Sequence, residues 1–183
     1  MATINGIGIK AVKTFRGHEG ELLCQGQIYI DGKKGGLWSQ DFMSGPDAFE
    51  GDSWKAVDEA ARKLKEGYPK TNRYYSVQDS PEVFMHYLVT LLDHEKAFRK
   101  NRKKGYTRLV IAENGRERKW TAYVPPKGAS ETDIRNTDNA YGRQMADEMI
   151  PKNAPVSITV YTDESDFNIT VDKDHPAPEW MCV

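Results

Sequence analysis

The sequence predicts an α+β fold with mainly antiparallel sheet, packed with about three helices. Three observations carry that expectation. Apolar and polar residues alternate through much of the first forty positions, the period of a half-buried strand. Two later segments, 54–65 and 81–103, instead repeat apolar residues every three or four positions, the period of a helix face. Finally, Asp31-Gly32 and Asn114-Gly115 stand between strand-like runs, where glycine accepts the positive φ of a hairpin turn.

The elements follow in order. Residues 7–15 carry Ile7, Ile9, Val12 and Phe15 as a first strand, and Gly17-His18-Glu19-Gly20 turns the chain. Residues 22–30 put Leu22, Cys24, Ile28 and Ile30 on one face and Gln25 and Gln27 on the other. Lys33 to Asp41 returns with Leu37 and Trp38, completing a three-stranded meander in which Gly35-Gly36 reads as a bulge or kink. Met43-Ser44-Gly45-Pro46 and Gly51-Asp52-Ser53 mark a loop over 42–53. Ser53 is suited to cap a helix from Trp54 to about Lys65, with Trp54, Val57, Ala60, Ala61 and Leu64 on its apolar face and Gly67 and Pro69 as its stop. A polar connection with Tyr68, Tyr74 and Tyr75 spans 68–79.

Ser80-Pro81 then gives a helix start, because proline at the first helical position loses only a donor the helix has no use for. Phe84, Met85, Leu88, Leu91, Leu92 and Phe98 carry that helix to about Lys103, and Gly105 ends it. Residues 106–124 read as a hairpin, with Leu109 to Ala112 on one side and Trp120 to Val124 on the other. After Pro125-Pro126, Ser130 caps a helix to about Ile150. Pro151 to Pro155 links to strands at 156–160 and 167–171, turning at Asp163 to Asp166. The tail from Asp172 reads as irregular, with Trp180 free to dock onto the body. One domain over 1–183 is expected, divisible at most into a meander at 1–50 and a mixed region at 51–183.

Composition narrows the function class. With 38% apolar and 10% aromatic residues, the chain is built for a packed core rather than disorder. A net charge of −1 excludes a globally basic nucleic-acid binder. No run of about eighteen apolar residues predicts a membrane span, and the N-terminus shows no basic segment followed by an apolar stretch. Cys24 and Cys182 do not make a disulfide scaffold. The expectation is a cytoplasmic protein with free thiols.

Chemistry is sparse. His18, His86, His94 and His175 lack metal-ligand spacing, and His86 and His94 read as surface or boundary residues of one helix. Cys24 falls on a strand stripe, where a thiol is inert. Gly6-Ile7-Gly8 and Gly35-Gly36 make no phosphate loop. The acids Asp41, Asp47, Glu50 and Asp52 do not match a calcium loop and read as solvated. No catalytic residue, metal ligand or cofactor is assigned, and the chain reads as a non-enzyme.

Charge is segregated along the chain: residues 96–119 carry +8 and residues 128–183 carry −7. One reading is of solvated faces, with basic side chains at a helix C-terminus complementing its dipole. The other is of binding surfaces. Arg99, Lys100, Arg102, Lys103, Lys104, Arg116, Arg118 and Lys119 would then meet phosphate. Asp163, Glu164, Asp166, Asp172 and Asp174 would meet a basic partner by mimicking phosphates. Tyr74, Tyr75, Tyr106 and Trp120 offer rings for stacking.

One stretch carries a resemblance. It comprises Asn5-Gly6-Ile7-Gly8-Ile9-Lys10-Ala11-Val12-Lys13, Phe15-Arg16-Gly17-His18-Glu19-Gly20, Gln25 to Lys34, and Trp38-Ser39-Gln40-Asp41. It resembles small proteins carried by phages and mobile elements of gut Firmicutes, a group that includes anti-CRISPR inhibitors of type II-A RNA-guided DNA nucleases. The resemblance implies a stoichiometric inhibitor whose partner is a type II CRISPR effector nuclease with its guide RNA, and it transfers no catalytic residue. Such effectors hold guide and target in positive channels, where acids would dock, whereas the basic run would contact guide RNA or target DNA. A nucleic-acid-binding accessory protein, touching DNA or RNA directly, is the alternative.

Overall fold

The computed structural model describes every residue except 19, 21, 42–44, 52, 73, 152–153 and 183. Parts of the turn expected at 17–20, the breakers Met43-Ser44 and Asp52, and Lys152 of the expected linker lie outside the described residues. The fold is α+β. The chain divides into two compact units, Met1–Asp93 with Phe167–Ala177 and His94–Asp166 with Pro178–Val183.

In the first unit, strands β1 (Thr3–Ile4), β2 (Ile7–Arg16), β3 (Leu22–Ile30), β4 (Lys33–Ser39), β5 (Ala48–Phe49) and β9 (Asn168–Ile169) form a sheet ordered β5-β4-β3-β2-β1-β9. The meander at its centre forms over the strands that the alternation marks, but Leu22, expected on the apolar face with Ile28, is 67% exposed and Leu23 is buried instead. Asp31 and Gly32 take φ of 47° and 78°, the two left-handed residues that let a tight hairpin match strand twist. Ile28 pairs with Gly36 and Tyr29 with Lys34, which makes Gly35 the extra residue of a bulge. A side chain on Gly36 would collide with the Glu50 carbonyl oxygen.

Helix α1 (Ser53–Glu66) buries Val57, Ala60, Ala61 and Leu64 of the stripe its spacing predicts, while Trp54 at its start is 44% exposed, its ring edge-on to Phe49. Ser53 does not cap it as expected. It is the first helical residue, and its hydroxyl donates to the Glu50 carbonyl at 2.6 Å. The first part of α2 (Pro81–Arg102) buries Phe84, Met85, Leu88 and Leu91 completely. At its start the Val83 N–H donates to the Ser80 hydroxyl at 3.4 Å.

The expected pairing of residues 156–160 with 167–171 does not form. The second segment instead lies parallel to β1 in the first unit's sheet. Asn5 accounts for this choice. Its carboxamide nitrogen donates to the carbonyls of Ala60 at 3.2 Å and Val171 at 3.0 Å, and its carboxamide oxygen accepts the Val171 N–H at 2.8 Å. One side chain therefore satisfies the backbone where β9 ends, with φ of 50° at Asn5 placing it.

The second unit is built on strands β6 (Arg108–Glu113), β7 (Arg118–Tyr123) and β8 (Ser157–Tyr161), ordered β7-β6-β8 and all antiparallel. One face carries Val110, Ala112, Ile158 and Val160, which pack with Tyr141, Met145 and Met149 from α3 (Glu131–Asp147) and just beyond it. Gly142 permits this approach, because a Cβ there would lie 2.5 Å from a methyl carbon of Ile158. The other face, with Leu109, Ile111, Glu113 and Tyr161, meets His94 and the turn Glu179–Met181 that carries buried Trp180.

Helix α3 starts where Ser130 predicts and stops three residues before Ile150. A capping box closes its start: the Asp133 N–H donates to the Ser130 hydroxyl, and the Asp133 carboxylate accepts from the Ser130 N–H. Replacing Ser130 with alanine is expected to cost about 1 kcal/mol, read as a lowered midpoint in chemical denaturation. The β6–β7 turn also sits one residue later than Asn114-Gly115 suggests. Gly115 and Arg116 are its central pair, Gly115 has φ of 78°, and the Asn114 carboxamide accepts the N–H groups of Arg116 and Glu117.

Candidate nucleic-acid interface

The basic run that the sequence shows as one block is two groups in the folded second unit. The first sits where α2 ends. The Gly105 N–H bonds the Arg102 carbonyl at 3.0 Å and the Tyr106 N–H bonds the Asn101 carbonyl at 3.2 Å, with Gly105 at φ 90°. This is a Schellman closure, which turns the chain sharply and leaves the last side chains projecting. Lys100, Arg102, Lys103 and Lys104 are all exposed there, beside Tyr106 at 39% exposure.

The second group, Arg116, Arg118 and Lys119, lies at the other end of β6. Five residue steps of extended chain from Arg108 to Glu113 separate the two ends by about 17 Å.

Pairing distinguishes the members of these groups. Arg99 is held by Glu95 and Glu164, both at 3.0 Å. The Arg102 guanidinium lies 5.8 Å from the ring centre of Phe98. Arg118 binds Glu113 at 2.8 Å and Lys119 binds Glu148 at 2.9 Å. Among the described residues no carboxylate pairs with Lys100, Lys103, Lys104 or Arg116, whereas four cations of the same run (Arg99, Arg108, Arg118 and Lys119) are tied into the fold.

The candidate acids also separate. Asp163, Glu164 and Asp166 belong to the second unit, and Asp172 and Asp174 to the first. Asp166 holds a turn together by accepting the N–H groups of Thr162 at 2.7 Å and Asp163 at 3.0 Å. Asp163 accepts the Ser165 N–H and hydroxyl, both at 2.9 Å. Those bonds hold its carboxyl below the usual range, with a smaller contribution from Arg102. Glu164 is engaged by Arg99. Asp172 accepts the Asp174 N–H and the His175 ring, and the His175 contact lowers its pKa. Asp174 is exposed. Most of these carboxylates are thus occupied in shaping their own loops.

The loop acids of the first unit are similarly employed. Asp47 accepts the Trp38 indole N–H at 2.7 Å, and Asp41 accepts the Gly45 N–H at 2.9 Å. Asp52 lies outside the described residues. Among the described residues no three His, Cys, Asp or Glu side chains converge as a metal site. Both cysteines are free thiols. A cleft of about 370 Å³ on the β2–β4 region is lined by Lys13, Gln25, Gln27, Leu37, Ser39 and Glu50 among others.

The sequence reading missed a buried polar cluster in the second unit. His94 is only 1% exposed, not a surface or boundary residue. Its Nδ1 lies 2.8 Å from the Tyr161 hydroxyl, its Nε2 lies 3.4 Å from Glu113, and its ring packs edge-on to Trp180 at 5.5 Å. The signal was present in the sequence: His94 falls three residues after Leu91 and four before Phe98, on the apolar stripe of α2. Burial pushes the Tyr161 phenol well up, so it stays protonated. The cluster lies in the interior of the second unit.

Among the described residues no helix is long and apolar enough to cross a membrane. No protein-family model, curated protein or solved structure matches the chain.

Proposed function

We propose that this protein is a non-catalytic inhibitor of a type II RNA-guided DNA nuclease, and that it contacts the effector's guide or target strand through the end of α2. The resemblance of residues 5–41 supplies the class of target. The observation that carries the mode of contact is the set of uncompensated cations, Lys100, Lys103 and Lys104, projecting from the Schellman turn beside an exposed tyrosine. Cations already committed to carboxylates have little left for phosphate, while free ones release counterions on binding. Mimicry of phosphate by the acids is the weaker mode, because Asp163, Glu164, Asp166 and Asp172 are engaged and split between two units.

The test is target cleavage by a panel of purified type II effector–guide complexes, with the protein added before or after guide loading. Inhibition at near-stoichiometric ratios is expected, with loss of potency in the triple variant K100E/K103E/K104E. Full cleavage at large excess across the panel overturns the reading. A nucleic-acid-binding accessory role is the second reading, favoured by Tyr106 as a stacking surface next to the same lysines. It predicts a salt-dependent shift of free single strands without any effector.

A further inference from the structure

The open edge of the second unit's sheet points to a self-association site. We infer that two copies of this chain pair through β7, antiparallel about a two-fold axis at Trp120. Among the described residues β7 pairs with β6 alone. The phase of that pairing is fixed at both ends. The Asn114 N–H bonds the Glu117 carbonyl and the Thr107 N–H bonds the Tyr123 carbonyl, each at 3.2 Å. Backbone groups of odd-numbered β7 residues therefore face β6, and by alternation those of Arg118, Trp120 and Ala122 face outward. Trp120 is 46% exposed at the middle of that edge.

Exposed edges are usually blunted by a proline, a bulge or an outward lysine. Here the β6–β7 register runs unbroken from Arg108↔Tyr123 to Glu113↔Arg118, and the strand contains no proline. Its two cations do not guard it, since Arg118 is drawn to Glu113 and Lys119 to Glu148. Space is available alongside: a cleft of about 520 Å³ opens between the strand and α3, lined by Trp120, Thr121, Tyr141, Gln144 and Met145 among others.

A second copy fits this edge in one register. With Trp120 opposite Trp120 of the second copy, Arg118 faces Ala122 and Lys119 faces Thr121, so no like charges meet. The outward groups of three residues per copy then form about six backbone hydrogen bonds. The two exposed indoles cover each other at the axis. The charges beside the edge, Arg118, Lys119 and Glu148, leave no strong excess of one sign, since Arg118 is neutralised by Glu113 and Lys119 by Glu148, which favours a copy of this surface over a strongly charged partner.

Sedimentation equilibrium of the full chain over a range of concentrations tests this. A reversible species of twice the chain mass is expected. Trp120→Glu, folded by circular dichroism, should raise its dissociation constant at least about thirtyfold, as loss of a central interface tryptophan does. A cysteine pair tests register independently of that variant's folding. In a Cys24→Ser/Cys182→Ser background, Trp120→Cys should cross-link to itself on oxidation, because hydrogen-bonded antiparallel partners sit about 5.5 Å apart at Cα, within disulfide reach. Thr121→Cys, whose opposite is Lys119, should not. A chain that stays monomeric at the highest concentration overturns the inference, as does cross-linking of the two cysteine variants to equal extent.

Discussion

Replacing Asp138 with alanine is expected to destabilise the second unit by about 3–5 kcal/mol, the usual cost of breaking a buried ion pair from one side. Asp138 lies on α3 with its side chain 7% exposed. It accepts the Arg108 guanidinium through Nε at 3.1 Å and Nη2 at 2.5 Å, and the Tyr123 hydroxyl at 2.7 Å. Three donors from two strands thus converge on one carboxylate, in the bidentate geometry that makes arginine pairs strong. The alanine variant leaves the Arg108 charge, 21% exposed, without a partner and removes a tie between the middle of α3 and the sheet. Tyr123→Phe removes one donor and keeps the pair, so it should cost only about 1 kcal/mol. Denaturant titration of both variants checks the ratio.

The same carboxylate leaves a spectroscopic mark. Burial and the contact with Asp138 push the Tyr123 phenol up to about 12. A phenol whose pKa is raised in the fold contributes stability that is complete below its unfolded value near 10 and is lost as pH rises toward 12. In Asp138→Asn the high-pH step of the tyrosine absorbance titration should move down toward 10. An unchanged step would mean that Asp138 is not what holds the phenol protonated.

How far the sequence discloses this molecule depends on the range of each interaction. The meander, α1 and α2 were legible because their information is local. Alternation places Ile28 inside but puts Leu22 there too, which is 67% exposed while Leu23 is buried; three- and four-residue spacing places Val57 and Leu64, and Asp31-Gly32 is a turn on its own account. The partner of residues 168–169 was not legible, since it is chosen by Asn5, more than 160 positions away. Arg108 and Asp138 are 30 residues apart and neither has a local pattern that names the other. Charge segregation was visible as a sum. Which cations stay free was not, because pairing depends on which side of a strand or turn each carboxylate reaches. Arg118 and Lys119 are neighbours in sequence on opposite faces of the sheet, and each finds its own acid there.

Glu113 carries the other large expectation, because it joins both ends of the buried cluster. Glu113→Ala should cost about 3–5 kcal/mol at neutral pH, comparable with loss of Asp138. Its carboxylate, 7% exposed, sits between Arg118 at 2.8 Å and His94 at 3.4 Å, with His94 enclosed by Tyr161 and Trp180. Removing it leaves a buried imidazole without its acid and an arginine whose partial exposure lets water take over some of the loss. Burial pushes the Glu113 carboxyl upward, but the hydrogen bonds and charges of His94 and Arg118 outweigh it and hold the group below its ordinary value of 4.5. A carboxyl lowered in this way stabilises the fold fully above that value and loses its contribution as pH falls through the lower folded one. The stability difference between wild type and Glu113→Gln should therefore be full at neutral pH and shrink in the acid range below 4.5. A difference that stays constant from neutral pH down to the acid limit of folding would show that the carboxyl titrates alike in the folded and unfolded chain, so that His94 and Arg118 do not lower it.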